Sequence, residues 1–280
     1  MDYETLTVSI DKRVATVTID NPPVNVITSQ LFGDLRDVSK MLAVDDEVLV
    51  VVLESANDEF FMAHYDVELL VNAPEDSDPD RPMEIHSFDR LCERFRTMPK
   101  VTIAKIAGRV GGGGSEIAMA CDMRYAALGR AIVNQMEVPI GILPGAGGTQ
   151  RLPRLVGWGR AAEIILGGVD IDAATGERWG YFDRALATDE LDRFVDALAS
   201  RIASFPPEAV RHAKAAMVEG ASMPLHEGLI NESFHFDQLM ARPDSRAAMQ
   251  RFLDLGGQTP DGERTVAELS ARAARAGSDD

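Results

Sequence analysis

Four consecutive glycines, Gly111 to Gly114, followed by Ser115-Glu116, interrupt this chain at a place where a fold can least absorb an arbitrary insertion. Before them, Val101-Thr102-Ile103-Ala104-Lys105-Ile106-Ala107 reads as a strand. After them, an apolar run predicts a short helix from about Ser115 to Cys121. Glycines there let the backbone turn sharply and let another group approach the main chain closely, while the helix start offers unpaired N–H groups and a positive dipole end. A flexible connection or a tight strand-to-helix crossing explains the run equally well. It is not a phosphate-binding P-loop, because no Gly-Lys-Ser/Thr follows, and it is not a G-x-S-x-G elbow, because Ser115 lies between Gly114 and Glu116. Ser115 has no base at a suggestive spacing, the next histidine being His212.

The rest of the chain supplies an α/β frame for that crossing. Residues 5–20 alternate apolar and polar around Asp11-Lys12, as a β-hairpin does, and Val48-Leu49-Val50-Val51-Val52-Leu53 is the dense run of a strand buried on both faces. Helical spacing covers 29–43, and a further strand is expected at 123–127. Residues 72–82, NAPEDSDPDRP, read as an exposed loop. From Thr149 onward strand signals nearly vanish and helices are expected at 159–166, 188–204, 207–219, 223–241 and 243–254. The segment 256–280, after a stop at Gly256-Gly257, reads as a loose tail. The expected division is a core over 1–200 that carries the site, a helical region over 201–255, and that tail. Ile230, Phe234, Phe236, Leu239, Met240, Met249 and Phe252 are more large apolar groups than a thin helical layer buries on itself, which predicts a homo-oligomer joined through this region.

Composition removes whole classes of function. With 28 Lys and Arg against 45 Asp and Glu the net charge is -17, and no basic cluster offsets it, so neither nucleic acid nor an anionic membrane is an expected partner. Cys92 and Cys121 lie far apart in apolar helical settings without metal-ligand spacing. They are expected to be buried and reduced, as in a cytoplasmic protein. The amino-terminal segment is acidic and alternating, and no 18-residue apolar stretch occurs, so neither a signal peptide nor a membrane span is expected.

Two acidic residues stand in odd company. Glu116 opens the apolar helix and Glu137 lies inside IVNQMEVPIGILPG. A carboxyl among apolar groups has a raised pKa and can give or take a proton near neutrality. A favourable first-turn charge at Glu116 and a paired or exposed position for Glu137 remain the plainer alternatives. Phe60-Phe61-Met62-Ala63-His64-Tyr65-Asp66 leads from the buried strand to a helical stretch that Asp66 can cap.

Together these features resemble the crotonase superfamily, the enoyl-CoA hydratases and isomerases, over about residues 5–255. The family's F-x-A-G-x-D segment is similar to Phe61 through Asp66, and its N-G-x-x-x-G-G-G-x-E segment to Ala107 through Glu116. Its Q-x-E-x-x-x-G-x-x-P-G-x-G-G-T-Q-R-L segment is matched from Gln135 to Leu152. The resemblance implies a ββα superhelical core with a C-terminal helical oligomerisation region, assembled as a trimer or a dimer of trimers. It implies an oxyanion hole formed by the backbone N–H groups of Tyr65 and Gly113. Glu116 and Glu137 fall at the two carboxylate positions that hold and activate water. Ala63, His64, Asp66 and Gly112 fall in the substrate and CoA segment, Ala63 through its carbonyl at the adenine, with Asp66 chiefly a cap.

The activity so implied is hydration of a 2-enoyl-CoA, an acyl-CoA thioester, without a metal or a cofactor other than the CoA of the substrate. Glu116 deprotonates water and Glu137 gives the proton to C2. Double-bond isomerisation or thioester hydrolysis are alternatives on the same fold, and a non-catalytic or RNA-binding protein is an alternative of another class. The chain departs from the family pattern at His64, where glycine is usual and a positive φ is expected; at Glu68, where a phosphate-binding lysine often stands; and in FLDLGGQTP, which lacks the usual Lys-Arg. Pro144 to Arg151 is expected to form a tight turn into a helix capped by Thr149, Gln150 and Arg151 to make surface or interface contacts, Trp158 and Trp179 to pack, and His86, His212, His226 and His235 to be surface or packing residues.

Overall fold

A computed structural model describes residues 3–74 and 83–275. The hairpin is formed by β1 (Leu6–Asp11) and β2 (Val14–Ile19), which pair antiparallel with Leu6 opposite Ile19 and Asp11 opposite Val14. In β2 the alternation is physical: Ala15, Val17 and Ile19 turn inward and are fully buried. Helix α1 (Ser29–Val44) follows, capped by the Thr28 side chain on the Leu31 amide and buried along Leu31, Leu35, Val38 and Leu42.

The chain then winds through repeated strand–strand–helix turns. β3 (Val50–Ser55) and β4 (Phe60–Met62) lead to α2 (Val67–Val71) and α3 (Ser87–Thr97); β5 (Val101–Ile106) and β6 (Arg109–Gly111) lead to α4 (Gly112–Ala120). β7 (Met123–Ala127) and β8 (Ile132–Asn134) precede a 3-10 turn at Val138–Ile140, α5 (Gly148–Val156) and α6 (Trp158–Gly167). β9 (Ile171–Asp172), α7 (Ala173–Trp179) and β10 (Arg184–Leu186) close the spiral. Each turn adds one strand to each of two sheets, ordered β1-β2-β3-β5-β7-β10 and β4-β6-β8-β9. The architecture is the α/β, ββα arrangement expected above.

β3 shows why the run at 48–53 is apolar throughout. Val51 and Leu53 enter the main core, whereas Val50 and Val52 face α8 (Thr188–Ala203), whose Leu191, Val195, Ala199 and Ala203 cover the other side of the six-stranded sheet. The remaining helices are α9 (Pro207–Gly220), α10 (Leu225–Met240), α11 (Pro243–Asp254), α12 (Pro260–Arg264) and α13 (Val266–Arg275). Buried Lys214 of α9 docks this region on the core, donating to the Lys100 carbonyl at 2.6 Å and to Asp122 at 2.8 Å. Leu225, Ile230, Phe234, Phe236, Met249 and Leu253 are left exposed.

Several sequence-based expectations need correction. The expected helix at 115–121 begins at Gly112, inside the glycine run, so most of that run is helix rather than connection. The segment after Gly256-Gly257 is not loose through residue 275: α13 buries Leu269, Ala271 and Ala273 and packs on α11. Residues 276–280, and 75–82 of the expected exposed loop, lie outside the described residues. Trp158 is 81% exposed rather than packed, while Trp179 lies against the core. Thr149 does not cap α5, which starts one residue earlier with Gly147 at its cap in a left-handed conformation, φ 102°. Cys92 and Cys121 are buried free thiols, and burial raises the pKa of both.

Candidate active site

The site is made where the four-stranded sheet presents the ends of β4, β6 and β8 to α4. Its first wall is the segment 63–66, suspended from 24–27: Ala63 donates its amide to the Val24 carbonyl, Ile27 donates to the His64 carbonyl at 2.8 Å, and Asp66 donates to the Ile27 carbonyl. Asn25 secures the base of this segment. It takes a left-handed φ of 53°, is fully buried, and donates its side-chain amide to the Phe60 and Phe61 carbonyls. The Tyr65 amide, bracketed by these bonds, makes none among the described residues. Asp66 caps α2 through the Glu68 amide, as expected.

The second wall is the start of α4, and the glycines let it touch the first. A Cβ on Gly111 would lie 2.5 Å from the Ala63 carbonyl oxygen, one on Gly114 2.4 Å from the Met62 carbonyl oxygen, and one on Gly112 3.0 Å from the His64 Cβ. Gly112 also has a φ of 44°. Close approach is therefore the reason for the run. It brings the Gly113 amide, one of the first-turn donors without a partner inside the helix, to the same 350 Å³ cavity that Tyr65 lines.

Glu116 and Glu137 both open onto that cavity, together with Leu70, His86, Phe88, Ile142 and Leu143. Glu116 is 2% exposed on a helix whose nine residues are all buried. Its Oε1 accepts the amides of Ala146 and Gly148, both at 2.7 Å, so the segment after Pro144 folds over this carboxyl. Arg151 braces that fold, donating to the Ala146 carbonyl at 2.7 Å and pairing with Glu93 at 2.6 Å. Burial pushes Glu116 up to about 7, against the two amides, which pull it down. Glu137, 8% exposed at the start of the 3-10 turn, is also raised by burial, with its own backbone amide and the nearby His64 acting the other way. Two carboxyls of raised pKa thus share a cavity with two backbone donors that have no partner among the described residues.

Gly112, Ala63, His64 and Asp66 stand behind the cavity rather than in its wall. His64 does not take the expected positive φ; the non-glycine residues that do are Lys12, Arg13, Asn25 and Gln258. Its Nδ1 is 2.8 Å from the Tyr65 carbonyl and donates to it, a carbonyl being an acceptor only. Sequence reasoning missed Gln135 as a site residue. The amide is fully buried and, with nitrogen toward the carboxylate, donates to Glu137 at 2.9 and 3.2 Å while its oxygen accepts from Ser115. Asn25, Phe88 and Ala146 were missed too; only their places in space mark them. Among the described residues no group of three or more His, Cys, Asp and Glu side chains could hold a metal, and no helix is long and apolar enough to cross a membrane.

Known proteins share this sequence and this fold. A family model described as Enoyl-CoA hydratase/isomerase matches residues 9–258. The short-chain-enoyl-CoA hydratase of Clostridium acetobutylicum is 32% identical over 259 residues, covering 91% of this chain and 96% of that protein. The crotonyl-CoA hydratase of Syntrophomonas wolfei subsp. wolfei is likewise 32% identical over 259 residues, 91% of this chain and 96% of its own. Among solved structures, the enoyl-CoA hydratase from Bacillus anthracis superimposes with a TM-score of 0.81 at 28% identity, covering 90% of this chain and 96% of that one.

Proposed function

The chain belongs to the enoyl-CoA hydratase/isomerase family, and from that premise we propose that it adds water reversibly across the 2,3 double bond of a 2-enoyl-CoA thioester. The observation that carries this reading is the convergence of Glu116 and Glu137 on the cavity lined by Tyr65 and Gly113. In the proposed reaction, Glu116 takes a proton from water as the oxygen attacks C3. The electrons of the double bond pass through C2 to the thioester oxygen, where the Tyr65 and Gly113 amides receive the developing charge; one such donor is commonly worth about 3 kcal/mol. As the enolate collapses, protonated Glu137 delivers its proton to C2. Return of the Glu116 proton to Glu137 through solvent resets the pair. Every bond change is accounted for by water and the two carboxyls, so no metal, redox group or cofactor beyond the CoA of the substrate is part of the proposal.

The exposed apolar residues of α10 and α11 support a homo-oligomer, which we place as a trimer or a pair of trimers. The buried thiols and acidic surface support a cytoplasmic enzyme of acyl-CoA metabolism without nucleic-acid or membrane partners. Crotonyl-CoA is the test substrate, with loss of the conjugated double bond, its migration and release of free thiol followed separately. Glu116→Gln and Glu137→Gln should each lower kcat of hydration at least about 100-fold with acyl-CoA affinity nearly kept, and the double variant should cost far less than the product of the two. Near-full hydration by either single variant would remove the two-carboxylate reading, and migration or free thiol in its place would establish isomerisation or hydrolysis.

A further inference from the structure

Behind Glu137 lies a line of neutral polar groups with no water-facing end. Tyr181, in the connection between α7 and β10, places its hydroxyl 2.7 Å from Ser115 Oγ on α4, 66 residues away in the chain. One end of the Gln135 side-chain amide lies 3.1 Å from Ser115 Oγ and the other lies 2.9 and 3.2 Å from the two Glu137 carboxyl oxygens, so which end is nitrogen is set by the hydrogens its neighbours can give or take. Tyr181, Ser115 and Gln135 are all fully buried.

Direction follows from hydrogen counting. Ser115 is the one partner of the Tyr181 hydroxyl among the described residues. If Ser115 donated to it, the phenolic hydrogen would be buried without an acceptor, which is costly; if Tyr181 donates, nothing is orphaned. The Ser115 hydroxyl is then free to donate only to Gln135, whose oxygen must face it. The nitrogen is left to face Glu137, as a carboxylate requires. The opposite polarity, in which a protonated Glu137 donates to the amide oxygen, remains reachable by rotating the amide, but the amide nitrogen then donates to Ser115 Oγ and either the Ser115 or the Tyr181 hydrogen is left without an acceptor along the line.

We propose that Tyr181, Ser115 and Gln135 form a one-way relay that cradles the ionised form of Glu137, making Tyr181 and Ser115 positioning residues for proton delivery to C2. The idea rests on the role given to Glu137 above. An acid whose conjugate base is already cradled gives up its proton more readily, so the relay works against the burial that holds the proton on. Burial also keeps the Tyr181 phenol protonated, its pKa being raised with the Ser115 bond opposing, so the relay keeps its source hydrogen. The other titratable groups facing Glu137 are His64 from the 63–66 segment, Glu116 from α4 and His86 on the cavity wall. None is altered in the variants below.

The test is an infrared pH titration of the full-length protein without substrate, following the carboxylic C=O band that disappears in Glu137→Gln. In Tyr181→Phe, which keeps the ring and its 4.8 Å edge contact with Phe182, the band should persist to higher pH by about one unit, the size implied by releasing one buried hydroxyl from its constraint. Ser115→Ala should move it similarly, and the double variant no further, because both cut the same line. Hydration by Tyr181→Phe should fall about 3-fold in kcat with KM unchanged, the Brønsted response to one unit. A band titrating at the wild-type pH in folded Tyr181→Phe overturns the relay, and so do shifts that add in the double variant. Because the band is read without turnover, failure of the hydratase reading would be seen separately, in the crotonyl-CoA assay.

Discussion

Gly148 gives its amide to Glu116 Oε1 at 2.7 Å and is so close that a Cβ on it would lie 3.0 Å from the same oxygen. The bond and the missing side chain are two halves of one requirement, since the donor reaches the buried carboxyl only if nothing projects beside it. Gly148→Ala would also press within 2.6 Å of the Pro144 ring. It should lower kcat at least about tenfold by displacing Glu116 from the cavity, with circular dichroism unchanged. Wild-type turnover in this variant would show that the loop yields without moving the carboxyl.

The same carboxyl makes stability depend on pH in a definite direction. The unfolded chain releases the Glu116 proton near 4.5, whereas the folded chain holds it to about 7. Between those values the folded state binds more protons, so stability falls as pH rises through the window, by on the order of 3 kcal/mol. Glu137, raised as well, adds with the same sign. Urea unfolding from pH 4.5 to 7 should therefore show a slope that Glu116→Gln reduces, and an identical slope in the variant would refute the assignment.

Gly113 separates loss of a donor from loss of space. A Cβ there would lie 2.7 Å from the edge of the Phe88 ring, so Gly113→Ala should impair turnover by crowding and Phe88→Ala should restore part of it. Gly113→Pro, tolerated in a first helical turn but lacking the N–H, should remain inactive with or without the Phe88 change. Rescue of the proline variant would exclude the amide as an oxyanion donor.

His64 braces the peptide that follows Tyr65 without entering the cavity wall. His64→Ala should thus lower kcat by about fivefold, the weight of one ordinary hydrogen bond, and leave acyl-chain preference untouched. A broadened substrate panel would instead place the imidazole against the acyl group.

The exposed apolar face of α10 is open to a simple check. Leu225 is 80% exposed and Ile230 60%, values that oligomer contacts would reduce. Sedimentation should show an oligomer for the full chain and a smaller species for Ile230→Asp; a monomeric wild type would leave that face without a role.

What could be read from the sequence follows from how strongly each feature is patterned. The hairpin, β3, α1 and the large C-terminal helices declare themselves by alternation or helical spacing over many residues. β4, β6 and β8 are three residues each, too short for periodicity, yet they aim the site. α13 was concealed because Leu269, Ala271 and Ala273 are mostly small and lie among charged neighbours, and because Gly256-Gly257 does end α11. Glu116 and Glu137 stood out as charges in apolar surroundings. Tyr181, Ser115 and Gln135 carry no charge, and 66 residues separate Ser115 from Tyr181, so only the folded chain brings them into line.

The glycine contacts divide the cavity into parts with different freedom to change. Behind it, where Gly111, Gly112 and Gly114 lie flush on Met62, Ala63 and His64, no side chain is admitted without parting the two walls. The rim sits on three separate segments, with Leu70 on α2, His86 just before α3 and Ile142-Leu143 after the 3-10 turn, each exposed enough to be exchanged by itself. On the hydratase reading proposed above, substitution around the rim changes the acyl preference while the two carboxyls and the two backbone amides stay where they are.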